Sequence, residues 1–105
     1  MELSGASRAA VSASTDNFGV PVIAISGELD LASVESARSG IEEILVNPRE
    51  VILDLAGLTF MDSSGIALLI QVNNRVESVS VINVRPAVHR VLEATGLLET
   101  FGLSR

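Results

Sequence analysis

Three short apolar runs rich in β-branched residues alternate with segments whose apolar residues recur at helical spacing, and this alternation limits the folds open to the chain. The runs are Val20 to Ile25, Glu50 to Leu55 and Ser78 to Val84. Each has the length and composition of a strand. After the first, Leu31, Val34, Ala37, Ile41, Ile44 and Leu45 fall at helical intervals, and Asp30 is placed to cap the opening turn. Asn47 and Pro48 stop that helix. Gly40 lies inside it at a cost of about 1 kcal/mol relative to Ala, which points to close packing there. A second helix is predicted from about Ser63 to Val76. A third opens at Pro86, turns Val88, Val91 and Leu92 inward, and ends at Gly96.

The first 17 residues are small and polar. Residues 1 to 7 are predicted to be a loose tail, while the weak alternation of Ala9 to Thr15 suits an edge strand. Glu50 to Leu55 is bounded by turn formers and predicts a strand buried on both faces. The order strand, strand, helix, strand, helix, strand, helix defines an α/β domain: a small mixed β-sheet flanked by helices and joined by right-handed crossovers. Val22, Ile23, Ile25, Ile52, Leu53, Leu55, Leu69, Val81, Val91 and Leu92 are its predicted core.

Composition narrows the function. At 105 residues the chain fits one domain, and 48% hydrophobic against 19% charged residues excludes the disordered class. Trp and Tyr are absent, so aliphatic packing must fill the interior. Cysteine is absent too, which removes disulfides and thiolate metal sites and makes the cytoplasm the expected location. No apolar run approaches the roughly 20 residues of a membrane span, and the N-terminus lacks the order of a secretory signal. A net charge of −6 argues against direct nucleic-acid binding, which needs a concentrated basic face. Another protein is the expected partner.

The stretch TFMDSSGIALLI, Thr59 to Ile70, places an acid, two serines and a glycine where a strand gives way to a helix. A helix start has unpaired N–H groups and partial positive charge, so carboxylates, hydroxyls and phosphates are all favoured there. Two readings stand at this point. In one, Asp62, Ser63 and Ser64 satisfy orphan donors and Gly65 allows tight packing. In the other they mark a docking site, because Ile66, Ala67, Leu68, Leu69, Ile70 and Val72 make the following helix apolar around nearly its whole circumference, more than one sheet face can bury.

Enzyme equipment is missing. The G-x-S-x-G elbow is absent, and the one histidine, His89, lies on the outer part of the last helix pattern. No His and carboxylate residues fall at coordinating intervals, and no G-x-x-x-x-G-K-[ST] phosphate loop occurs. Glu28 and Asp30 of the GELD segment are read as a turn and a helix cap.

Three blocks, ISGELD (Ile25 to Asp30), VILDLAGLTFMDSSGIALLI (Val51 to Ile70) and RPAVHRVLEATGL (Arg85 to Leu97), together resemble the anti-sigma factor antagonist family of STAS domains. The similarity covers about residues 18 to 101, with FMDSSG its most specific part, and places a single STAS-like domain at 18–105 behind the tail at 1–17. The resemblance implies a protein that binds an anti-sigma factor with serine kinase activity and thereby frees a sigma factor. It implies that phosphorylation of Ser63, or secondarily Ser64, turns binding off and that a serine phosphatase restores it. Asp30, Asp62, Ser63, Ser64, Gly65 and Ile66 then belong to the partner-facing surface. ATP belongs to the kinase, so this chain needs no cofactor. The alternative is a non-switching STAS scaffold or a subunit of a larger regulatory or transport assembly. Two departures stand out: a short connection at Asn73 to Ser78, and an end soon after Phe101 without the family's terminal helix. The second leaves apolar surface for a homodimer.

Overall fold

The computed structural model describes residues 9–45 and 49–103. The expected tail at 1–7 and the helix stop at Asn47 and Pro48 lie outside these residues. In chain order the elements are β1 (Ala9–Thr15), β2 (Pro21–Leu29), α1 (Val34–Ile44), β3 (Glu50–Asp54), β4 (Leu58–Met61), α2 (Ser63–Arg75), β5 (Ser78–Ile82) and α3 (Pro86–Ala94). They form the expected α/β domain, a five-stranded sheet with three helices.

The sheet runs β1-β2-β3-β5, with β4 attached to β2 off this path. β1 pairs antiparallel with β2, whereas β2–β3, β3–β5 and β2–β4 are parallel, so the sheet is mixed. Because β1 occupies one edge of β2 from Pro21 to Gly27, β3 and β4 share the other. β3 takes Val22 to Ala24 and β4 takes Gly27 to Leu29, with a register shift between Gly27 and Glu28. Gly27 supplies the positive φ of 90° at that shift, a conformation other residues adopt only at a cost.

Registered rows build the core. Ile23 pairs with Leu53, and Leu53 with Val81, and all three are buried. Fully burying a side chain of this size stabilises the fold by about 1.5–3 kcal/mol. Ile25, Leu55, Leu69 and Leu92 join the same cluster, and Val91 packs against it. At the far edge, the Val81 N–H donates to the Phe101 carbonyl at 3.1 Å, and the Phe101 ring is buried. The C-terminal segment therefore lies along the outer margin of β5.

Three expectations are corrected. β3 is not buried on both faces: its residues alternate, Val51 and Leu53 being buried and Ile52 and Asp54 half-buried. Side chains along a strand point to opposite faces, and the same alternation continues into β5, where Val79 and Val81 are buried and Ser78, Ser80 and Ile82 exposed. Val22 and Ile52, which pair across β2 and β3, thus lie on the open face outside the core cluster. Second, β4 adds a strand between β3 and α2 that the sequence pattern conceals, since Leu58 and Met61 are buried while Thr59 and Phe60 are exposed, which is not a period of two. Third, Glu28 lies within β2, not in a turn.

Among the described residues no helix is long and apolar enough to cross a membrane. Replacing Leu53 by Ala is expected to cost about 2–5 kcal/mol in denaturant melts, as methyl groups vanish from the centre of the core. Ile52→Ala, one residue along but on the open face, is expected to cost less than half as much in the same measurement.

Candidate functional site

Two chain segments leave the sheet side by side. Leu29 of β2 is in register with Met61 of β4, and the Asp62 N–H donates to the Leu29 carbonyl at 3.1 Å. The residues that follow, Asp30 on one segment and Asp62 on the other, accordingly begin two neighbouring turns. Neighbouring strands are about 4.8 Å apart, which sets the scale of this juxtaposition.

Asp62 is the N-cap of α2. Its Oδ1 accepts from the Ser64 N–H at 2.8 Å, and its carbonyl accepts from the Gly65 and Ile66 N–H groups at 3.0 and 3.1 Å. The backbone at Asp62 is extended, so the chain turns sharply from strand to helix at this residue. Ser63, the first helical residue, is exposed, whereas Ser64 is half-buried. Of the two serines, Ser63 is the more exposed residue.

Gly65 lets this turn sit where it does. A Cβ at this position would lie 2.4 Å from Met61 Cγ and 2.9 Å from Leu29 Cβ, inside any tolerable contact. The first turn of α2 therefore rests directly on the ends of β2 and β4, and Leu29 and Met61 are themselves buried. With no space to recede into, the helix start stays at the surface.

Asp30 acts one step earlier than its sequence position suggests. Its Oδ1 accepts from the Ala32 and Ser33 N–H groups at 3.1 and 3.0 Å, and its carbonyl accepts from Ser33 and Val34 at 3.1 and 2.9 Å. These bonds fold residues 30–33 into a tight turn, so α1 begins at Val34 and not at Leu31. Ser33 is buried inside the turn, its hydroxyl donating to the Glu28 carbonyl at 2.6 Å and accepting from the Asp30 N–H at 3.0 Å. Leu31, expected on the core face of the helix, is swung outward and is 79% exposed.

Leu31 is not alone. Phe60, three residues before Ser63, is 47% exposed, and Ile70 on α2 is 37% exposed. Along α2 the exposed residues Ser63, Ala67, Ile70 and Asn74 are spaced as one helical stripe, with Ile66 half-buried beside it. Leu68, Leu69 and Val72 face inward. Most of the helix's apolar residues are thus covered, and Ala67 and Ile70 are the apolar members of the exposed stripe. Leu31 and Phe60 escaped the sequence reading, the first because it keeps helical spacing with Val34, the second because its strand lacks a clean alternation.

His89 is half-buried on α3. Among the described residues no group of three or more His, Cys, Asp or Glu is gathered in a way that holds a metal ion.

A small mixed sheet with a capped serine at a helix start beside β2 defines a recognisable class. The STAS domain model matches residues 13–105, and the chain belongs to the STAS domain family. An anti-sigma F factor antagonist from Paenibacillus polymyxa is 32% identical over 87 residues, covering 77% of this chain and 74% of that protein. A crystal structure of an anti-sigma factor antagonist from Mycobacterium paratuberculosis superposes with a TM-score of 0.83 at 26% identity, covering 96% of this chain and 89% of the other. The Bacillus cell fate determinant SpoIIAA, solved in its phosphorylated form, superposes with a TM-score of 0.64 at 26% identity, covering 88% and 87%.

Gly65→Ala is expected to destabilise the domain by about 1–3 kcal/mol, the range of overpacking, because the new methyl meets Met61 and Leu29. Asp62→Ala is expected to lower stability by about 1 kcal/mol through loss of the cap. Thermal and denaturant unfolding of the two variants measure both.

Proposed function

We propose that this chain is an anti-sigma factor antagonist acting in the cytoplasm. In this reading it binds an anti-sigma factor that is also an ATP-dependent serine kinase, and the sigma factor held by that protein is released. Phosphorylation of Ser63 ends the binding, and a serine phosphatase restores it. The observation that carries the reading is the exposed Ser63 at the head of α2, on one stripe with the exposed Ala67 and Ile70 and on a helix start fixed by the Asp62 cap. A kinase needs an accessible hydroxyl, and a binding partner needs apolar surface to bury. Both needs meet at one place.

The chemistry of the switch follows from that position. A phosphoserine carries about −1.5 to −2 charge at neutral pH. At the first residue of α2 the unpaired N–H groups and the helix dipole partly offset it, so the fold tolerates the group. A docked partner does not. Ala67, Ile70 and the half-buried Ile66 call for an apolar counterpart, and a dianion trapped against such a surface loses its water without gaining a partner. Where a partner carboxylate stands about 6 Å away, each added unit of like charge costs up to ~3 kcal/mol at an effective dielectric of about 20. Asp30, Asp62, Ser64, Gly65 and Ile66 frame the same surface, and the exposed Leu31 extends it on the neighbouring turn.

A second reading is favoured by one observation: Asp62 caps α2 through Ser64 N–H, so the motif has a structural use with or without a kinase. On that reading the domain is a constant scaffold in a larger assembly. Baits carrying Ser63→Ala and Ser63→Glu separate the two. A switching protein retains its kinase partner on the first and loses it on the second, while a scaffold retains the same proteins on both.

Mass spectrometry after reaction with the kinase is expected to find phosphate on Ser63. The phosphorylated protein is expected to unfold at nearly the same temperature as the unmodified one and to bind its partner about a hundredfold more weakly, the equivalent of ~3 kcal/mol. Equal affinity of the two forms by titration calorimetry removes the switch.

A further inference from the structure

The two margins of the sheet end differently. At β5 the Phe101 carbonyl takes the Val81 N–H, whereas β1 closes the other end of the strand order and pairs with β2 alone among the described residues. The β1–β2 register runs unbroken over all seven residues of β1, with no bulge. From Ala9 to Thr15 there is no charge and no proline either. Charges, prolines and bulges are the devices that keep a second strand off an edge, and β1 has none of them. Beyond Ala9 every residue of the strand is exposed except the half-buried Val11.

Alternation decides which backbone groups face outward. The Asp16 N–H turns inward to the Val20 carbonyl at 3.0 Å, so at a period of two Ser14, Ser12 and Ala10 also bond to β2. Thr15, Ala13 and Val11 therefore point both N–H and C=O away from the sheet. The residues opposite agree. Pro21, facing Thr15, has no N–H to give, and Gly27, facing Ala9, gives its N–H to the Gly57 carbonyl on its other side at 2.9 Å. Among the described residues no backbone group meets the outward groups of Val11, Ala13 and Thr15.

We infer that this margin pairs antiparallel with β1 of a second copy of the chain, about a two-fold axis at Ala13. Three outward residues at equal spacing are their own counterpart under such an axis: Ala13 faces Ala13 of the other copy, and Val11 faces Thr15 in both directions. Each facing pair exchanges two N–H to C=O bonds, so about six bonds use every outward group. Neighbouring registers do worse. One centred on Ser12 sets Thr15 against the buried Ala9, and one centred on Ser14 sets Val11 against Asn17 in the turn.

The surroundings of the axis suit a copy of the same strand, as a two-fold interface requires. Ser12 comes opposite Ser14 of the other copy on the open side of the sheet, where two hydroxyls can bond across the strands. Asp16, the nearest charge along the strand, lies roughly 20 Å from its counterpart at about 3.4 Å per residue, beyond the Debye length of about 10 Å at 0.1 M. On α1, Glu43 stands one turn past Gly40, where a Cβ would lie 3.3 Å from Val11 Cβ, and its charge opposes the pairing at low salt. The assembly closes at two copies, because both outer margins are then β5 margins guarded by Phe101. The inference rests on the backbone of β1 and stands apart from the reading of Ser63.

Sedimentation equilibrium of the full chain tests it, from about 10 μM to 1 mM and in about 0.3 M salt, which screens Glu43. The expected result is a monomer–dimer equilibrium with no larger species. Ala13→Pro removes an outward N–H and no bond to β2, and edge strands accept proline, so it is expected to weaken association about tenfold or more with the unfolding temperature nearly unchanged. Ala13→Lys, at an exposed position, is expected to weaken it as much by setting two like charges on the axis, and it decides the matter where the proline disturbs the fold. Because the chain has no cysteine, disulfide capture reads the register. An equimolar mixture of Ser12→Cys and Ser14→Cys is expected to cross-link on mild oxidation faster than either variant alone. A monomer at every concentration overturns the proposal. So do a dimer that both Ala13 substitutions leave intact, growth beyond two copies, and single cysteine variants that cross-link as fast as the mixture.

Discussion

One edge of β2 serves two strands in succession, and most of the molecule follows from that division. β3 holds the first part of the edge and β4 the second, so the chain must leave β3, turn, and return to the same edge a few residues later. Asp54 secures the exit by accepting from the Ala56 N–H at 3.0 Å. Gly57 permits the return, since a Cβ there would lie 2.7 Å from Ser26 Cβ. The Gly27 N–H meets the Gly57 carbonyl at 2.9 Å, and β4 then runs beside the end of β2. Without this double use of the edge, the start of α2 would not lie next to the turn that carries Asp30.

The division also explains why two acidic caps with different duties stand side by side. Asp62 closes a helix directly, whereas Asp30 folds a turn that precedes one. In both, the carboxylate takes backbone N–H groups that would otherwise lack partners, which stiffens the surface between them. Apolar side chains on stiff surface are displayed, not collapsed, and Leu31 is the clearest case. A floppy loop would fold such a residue back onto the protein.

Much of this was legible in the residues. The period-two and period-3.6 patterns located β2, β3, β5 and the three helices, and Pro86 marked the start of α3. FMDSSG marked the point where β4 gives way to α2 and Asp62 caps the helix. What was hidden was hidden for physical reasons. β4 is four residues long, and its two buried residues sit at its ends, so it carries no periodic signal. The assignment of β3 to a doubly covered strand failed because Ile52 is as apolar as Leu53, and composition cannot tell a covered face from a bare one. Leu31 was drawn into the helix by its spacing from Val34, since nothing in a three-residue interval distinguishes a helical turn from the Asx turn that Asp30 builds.

The carbonyl of Phe101, bonded to Val81 N–H, has a meaning for how the sheet ends. An unpaired strand margin is a template on which another chain can add, and sheets without a guard there grow from molecule to molecule. β5 is rich in Ser and Val and central in neither charge nor bulk, so its own side chains offer little deterrent. The turn at Phe101 supplies the guard instead: its ring is locked in the core, and its backbone occupies the position a foreign strand would take. Guarding this margin and completing the core are thereby one event, and a molecule trimmed before Phe101 would lose a buried ring and open β5 to polymerisation together.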